Sequence, residues 1–315
     1  MNAEVLIRSS REKKRRRMKS YLRQFWPLYV FVLPAVLDVL VFKYVPIEGI
    51  QIAFRSYKSK LGSFGSPWIG LEYFAKFLSS PNFWQLISNT FLLSFYSLIF
   101  GFPIPILLSL VINELQNQKY KRVVQTVTYA PHFISTVAIV GLINLFLDLD
   151  TGLLNLFRDM IGFEKVNFRT MPEAFRPAYI ISGIWQQTGW NSIIYLAALS
   201  AIDVEMLEAA KIDGASRLQK IWYIDIPSIM PTMVIMLILR CGSLLSVGYE
   251  KVLLMQNDLI RDVSEVISTY NYRMGILQGQ FSYTTAIGLF NSVVNCSILV
   301  FVNVISRKVN ETSLW

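Results

Sequence analysis

The chain has 315 residues, 53% of them hydrophobic and 16% charged, with a mean hydropathy of +0.43; an ordinary soluble domain is about 25% charged. That balance excludes a disordered chain and a collagen-like repeat, and with Cys241 and Cys296 as the only cysteines it excludes a disulfide-built scaffold. The formal charge of +9 is concentrated at one end: residues 1–23 hold nine Lys/Arg and two acids, a net +7, so the remaining 292 residues share only +2.

A basic segment placed directly before an apolar run marks a tail held on the cytoplasmic side, facing anionic lipid. We read residues 1–24 as this tail and expect no nucleic-acid partner. A cleaved signal peptide fits poorly, because the following apolar stretch is long, is interrupted by Pro34 and Asp38, and lacks a small-x-small cleavage site.

A membrane crossing needs about 20 apolar residues. Six segments approach this requirement, at 28–45, 86–112, 127–147, 179–199, 228–247 and 283–304, which predicts an all-α polytopic membrane protein with six transmembrane helices over 25–315. Six crossings return the C-terminus to the side of the tail. The segments then placed inside carry 17 Lys/Arg and those placed outside carry 11, the excess coming mostly from the tail. The outer loop before the second span holds Trp68, Tyr73, Phe74, Phe77, Phe83 and Trp84, which predicts a short interfacial helix whose rings anchor at headgroup level or form a sugar-stacking platform. Pro103, Pro105 and Pro131 fall inside or near helix starts and mark places where a span can kink.

Between the fourth and fifth spans, residues 201–227 are not needed to cross a membrane. Asp203 is placed to cap a first short helix using Met206, Leu207, Ala210 and Ile212; Gly214 permits a sharp turn; Leu218, Ile221 and Trp222 form a second amphipathic turn leading to Pro227. The result is a helical knob whose small residues allow close approach of another surface.

Glu208-Ala-Ala-Lys-Ile-Asp-Gly-Ala215, followed by Ile224-Asp-Ile-Pro227 and Pro231, resembles the EAA loop of binding-protein-dependent ABC importer permeases. Ile221, where an aromatic is common, and Ile226, where Leu is usual, are small departures. Further segments, Phe42-Lys-Tyr-Val-Pro46, Gly65-Ser-Pro-Trp-Ile-Gly70, Asn89-Thr90, Gly101-Phe-Pro103, Pro131-His-Phe133, Gly183-Ile-Trp185 and Leu239–Gly248, look like carbohydrate permeases of the LplB type, a group similar to the maltose-type permeases. The resemblance implies a type I ABC importer permease (MetI-like) fold in a bacterial cytoplasmic (inner) membrane, with both termini cytoplasmic. It implies as partners a homologous second permease subunit, two cytoplasmic ATPases, an extracellular or periplasmic solute-binding protein, membrane lipid and a carbohydrate substrate. It further implies that Glu208, Ala209, Ala210, Asp213, Gly214 and Ala215 couple the chain to the ATPase.

No G-x-x-x-x-G-K-[ST] phosphate loop, H-E-x-x-H, G-x-S-x-G or Cys/His metal spacing occurs in the chain. We therefore expect no catalytic residue, metal or cofactor here, with ATP and Mg held by the partner ATPase.

Ionisable groups inside spans usually face a cavity or a partner, which singles out Asp38, Lys43 and Arg240. Arg240 either meets an acidic or hydroxyl-rich sugar or pairs with Asp38 or Glu250. Trp185, Trp190, Asn191, Tyr195, Asn291 and Asn295 supply the flat faces and hydrogen-bonding groups a sugar pathway needs, although membrane Asn also serves helix packing. Tyr249, Glu250 and Tyr272, with Asn271 and Arg273, could face a docked binding protein; His132 reads as a packed or interfacial residue rather than a proton relay. Three other functions compete with a carbohydrate permease: the same machinery carrying a non-sugar solute, a membrane scaffold or sensor that docks an ATPase, and a self-sufficient transporter, which the elaborate loop disfavours.

Overall fold

The computed structural model describes residue 21, residues 24–310 and residues 313–315. The basic tail therefore lies almost wholly outside the described residues. Regular structure among the described residues is helical, with isolated β-bridges only at Arg55–Trp68 and Lys58–Gly62. Residues up to Ile69 form one compact unit and Gly70–Trp315 a second.

The first unit is built on α1, Gln24–Phe54, a 31-residue apolar helix long enough to cross a membrane. Pro46 has no N–H to give and its ring crowds the carbonyl four residues back, so the helix widens immediately upstream into a π turn over Leu40–Tyr44. It then narrows to a 3-10 helix over Val45–Phe54. Asp38 and Lys43 are exposed on it. After the helix, Arg55 donates through Nη1 to the carbonyls of Phe64 and Ser66, both at 2.8 Å, and Trp68 stacks on Phe54 at 5.5 Å. The 65–70 segment is thus a closure for this loop.

In the second unit, α2 (Glu72–Leu78) precedes α3 (Phe83–Asn113), α4 (Gln118–Phe133), α5 (Thr136–Phe146), α6 (Leu153–Met160), α7 (Pro172–Ser200), α8 (Val204–Ile212), α9 (Arg217–Cys241), α10 (Tyr249–Met255), α11 (Ile267–Asn271) and α12 (Phe281–Asn310). Across the described residues, length and apolarity alone qualify α1, α3, α9 and α12 as crossings. The expected third span is not straight: α4 and α5 meet at 96°, where α4 closes in a 3-10 turn over Ala130–Phe133 that contains Pro131 and Ser135 starts the next helix by accepting the Ala138 N–H. The expected fourth span lies in α7, which is 29 residues long but is made more polar by Gln186, Gln187 and Asn191.

α2 is the short helix expected in the outer loop, but its rings are not simple headgroup anchors. Phe77 is buried with Leu86, Ile267, Tyr270, Tyr283 and Ile287, and Tyr73 and Phe83 pack against that cluster. Trp84 remains exposed. Asn89 ties three segments at this end: its Nδ2 donates to the carbonyls of Asp262 at 2.7 Å and Glu265 at 3.1 Å, and its Oδ1 accepts from Arg176 at 3.0 Å. Thr90 beside it accepts the Ile267 N–H at 3.0 Å, which satisfies a buried backbone donor. The Asn89-Thr90 pair is a fastening point.

α7 is the central helix, packed against α3, α4 and α9. At Gly189 it comes so near α4 that a β-carbon would stand 2.0 Å from the Thr128 carbonyl oxygen. Both partners at that contact are backbone, so neither can move aside cheaply. Gly189→Ala is expected to lower stability by about 1–3 kcal/mol, whereas Gly288→Ala, with open space around its β-carbon, is expected to be near neutral. Thermal unfolding of the two purified variants in detergent reads the contrast, and equal unfolding temperatures would contradict it.

Candidate functional site

The loop at 201–227 is a helical hairpin. Asp203 accepts the Glu205 N–H at 3.0 Å and starts α8. Gly214 then takes φ +74, a left-handed backbone that side chains with a β-carbon resist; its surroundings are open, so conformation rather than space demands glycine. Ser216 caps the return helix with Gln219 in a reciprocal capping box. The return is not a separate helix: Arg217–Lys220 passes through a π turn over Ile221–Asp225 into the membrane segment, with Pro227 in the first turn of Ile226–Cys241.

The root of this hairpin is fixed twice. Leu207, Ile221, Ile224 and Ile226 pack onto a buried cluster that includes Ile106, Leu110, Leu199, Ile202 and Ile229. Beside it, Lys220 pairs with Glu114 at the end of α3, and its Nζ lies 3.6 Å from Oδ2 of Asp225. Asp225 is fully buried. A carboxylate there without a cation would carry a large desolvation cost.

The rest of the hairpin is uncovered. Glu208, Ala209, Asp213, Gly214 and Ala215 are exposed and Ala210 is partly so. Around them Ile212 is 85%, Leu218 70%, Trp222 65% and Tyr223 79% exposed, an apolar surface far larger than scattered single residues would make.

The second feature is a cavity of about 310 Å³ bounded by α3, α7, α9 and the segment leading to α10. Of the residues expected to line a pathway, Asn191, Tyr195 and Arg240 border it, together with Gln186, Gln187 and Ser94. Among the described residues of Gly70–Trp315 no carboxylate lies in ion-pairing distance of Arg240, so the alternative in which it pairs with Glu250 does not form. Lys251 also borders the cavity and was not expected there. It donates to the Tyr179 carbonyl at 3.1 Å and its ammonium sits 4.7 Å from the Tyr179 ring centre. Burial pushes it down to about 8. Its position in a loop beyond the fifth span hid this role from a reading based on span periodicity.

Trp185, Trp190, Asn291 and Asn295 do not border the cavity. Trp190 stacks on His132 at 4.3 Å, and His132 Nδ1 lies 3.0 Å from Gln187 Oε1, so this histidine is packed and hydrogen-bonded. Asn295 accepts the Leu245 N–H at 2.9 Å and donates to Ser246 Oγ at 2.8 Å, joining α12 to the end of the fifth span. Beyond the fifth span, Tyr249 and Tyr272 stack at 5.4 Å with Glu250 exposed, while Arg273 is taken up by a two-pronged contact with Glu265.

Among the described residues, helices long and apolar enough to cross a membrane, with an exposed hairpin between two of them, define a polytopic membrane component. Residues 73–311 match the family described as the binding-protein-dependent transport system inner membrane component, and the chain belongs to that family. It is 41% identical over 298 residues to Protein LplB of Bacillus subtilis, covering 95% of this chain and 93% of LplB. It is 43% identical over 305 residues to the polygalacturonan/rhamnogalacturonan transport system permease protein YteP of the same organism, covering 97% and 95%. Among solved structures it is similar to a chain of a bacterial alginate ABC transporter crystallised with an alginate pentasaccharide-bound periplasmic protein, at 41% identity and a TM-score of 0.84, over 95% of this chain and 100% of that one. The expected MetI-like permease fold is therefore the fold of this protein.

Because Lys220 lies beside both carboxylates, Lys220→Met is expected to destabilise the chain by about 3 kcal/mol. Adding Asp225→Asn should recover much of that loss, since the buried charge goes with its partner. Unfolding temperatures of the single and double variants measure this; a single variant as stable as the parent would contradict the role of the triad.

Proposed function

We propose that this chain is the permease subunit of an ATP-driven importer that passes a carbohydrate, an oligosaccharide, handed over by an extracellular or periplasmic solute-binding protein. In this reading it pairs with a homologous second permease, and two cytoplasmic ATPases hold the ATP and Mg. The tail and C-terminus face the cytoplasm, and Tyr249, Glu250 and Tyr272 meet the binding protein.

The observation that carries the proposal is the exposed hairpin. The exposed side chain of Ile212 at the hairpin tip, with Leu218 where the chain turns back, offers a protein partner an apolar contact, and the small residues Ala209, Gly214 and Ala215 let that partner approach closely. The partner is the ATPase, with Glu208 available to a basic side chain and Asp213 at the turn. Since the hairpin root is packed and ion-paired to α3 and α9, displacement of its tip is delivered to spans that border the cavity. Such a lever biases inward-open against outward-open states only if it is stiff, which the fixed root provides. The carbohydrate reading rests on polar and aromatic groups in one cavity and on relatives whose names specify polygalacturonan, rhamnogalacturonan and alginate.

Gly214→Val forces a β-branched residue to φ +74. The variant should insert and assemble, while solute uptake by the reconstituted importer falls at least about tenfold, a loss of roughly 1.4 kcal/mol or more in coupling. Unchanged uptake would sink the coupling role. A ligand screen on the binding protein that copurifies with the complex tests the cargo; an amino acid or metal ligand would overturn the carbohydrate reading.

A further inference from the structure

The cavity has an imbalance of charge. Its lining includes two cations, Arg240 and Lys251, and no Asp or Glu. Ionisable residues at membrane depth ordinarily pair with one another or with backbone carbonyls. Among the described residues of its unit Arg240 has no carboxylate in ion-pairing distance, and Lys251 has a backbone carbonyl and the face of Tyr179, neither of which neutralises it. Two positive charges on the wall of one space, with no carboxylate among its lining residues, give that space a field that favours an anion. They reach the space from different elements, Arg240 from the end of α9 and Lys251 from α10, and the amides of Gln186, Gln187 and Asn191 border the same space. Amides serve hydroxyl groups and the cations serve an anion.

We propose that Arg240 and Lys251 form an anion-selective subsite of the translocation cavity, and that the cargo is an acidic oligosaccharide whose uronate carboxylates they receive. This deepens the carbohydrate reading and rests on it. A neutral sugar offers these two cations no counter-charge and a uronate does, which makes the pair a filter as well as a binder.

The binding protein selects cargo upstream, so the test is made on the complete, purified importer without it. Short galacturonate and alginate oligomers are titrated against the complex by calorimetry, beside the same oligomers with every carboxyl methyl-esterified. The proposal expects the acids to bind at least about tenfold tighter than the esters, with the advantage shrinking as salt is raised. Lys251→Met with Arg240→Gln should abolish the preference, and Lys251→Arg with Arg240→Lys should keep it. Esters that bind as tightly as acids, or a preference that survives in the charge-free variant, would overturn the subsite and leave a carbohydrate importer standing. Binding of neither series would overturn the subsite and the carbohydrate reading together.

Discussion

A carboxylate without access to water keeps its charge only beside a cation, and the root of the hairpin is arranged around one such group. Asp225 lies fully buried in the π turn that joins the hairpin to α9, and Lys220, less than two turns away, faces both it and Glu114 of α3. The π turn has a consequence of its own, because the wider turn rotates the following residues relative to a regular helix. The hairpin, α3 and α9 thus share one electrostatic joint laid over an apolar cluster. Without a joint, a hairpin held by a single turn would flex, and no partner gripping its tip could move a span.

The same economy governs α7. A helix with Gln186, Gln187 and Asn191 in its middle is poorly suited to face lipid, and it is placed instead between α3, α4 and α9, where those amides find Ile134, His132 and the cavity. Gly189 permits the closeness this requires. The polar middle of α7 that lowers its apolarity is what lines the cavity with amides, so structure and proposed transport draw on the same residues.

The hairpin was largely legible in the sequence: Asp203 as a cap, Gly214 as a left-handed turn and Pro227 in a first turn all follow from local backbone chemistry, which tertiary packing left intact. The crossings were legible as apolar runs, but the 96° break between α4 and α5 was not, because a proline in a span signals a kink without its size. The cavity was half legible. Asn191, Tyr195 and Arg240 stand out as polar groups in apolar runs, whereas Trp190 and Asn295 carry the same signal and are used for stacking and for fastening α12. Lys251 and the Lys220 triad join groups far apart in the chain or in a loop, and single-sequence periodicity does not register such meetings.

The proposed grip of an ATPase on the exposed hairpin tip is tested most directly by cross-linking. With Cys241 and Cys296 replaced by Ala, Ala209→Cys provides one thiol on the exposed face of α8. In membranes containing the full importer, a short thiol-reactive cross-linker should join it to a cysteine placed in the ATPase surface facing the membrane, with a yield that changes between nucleotide-free and ATP-bound states. No adduct in either state, from an importer that still takes up solute, would contradict the account.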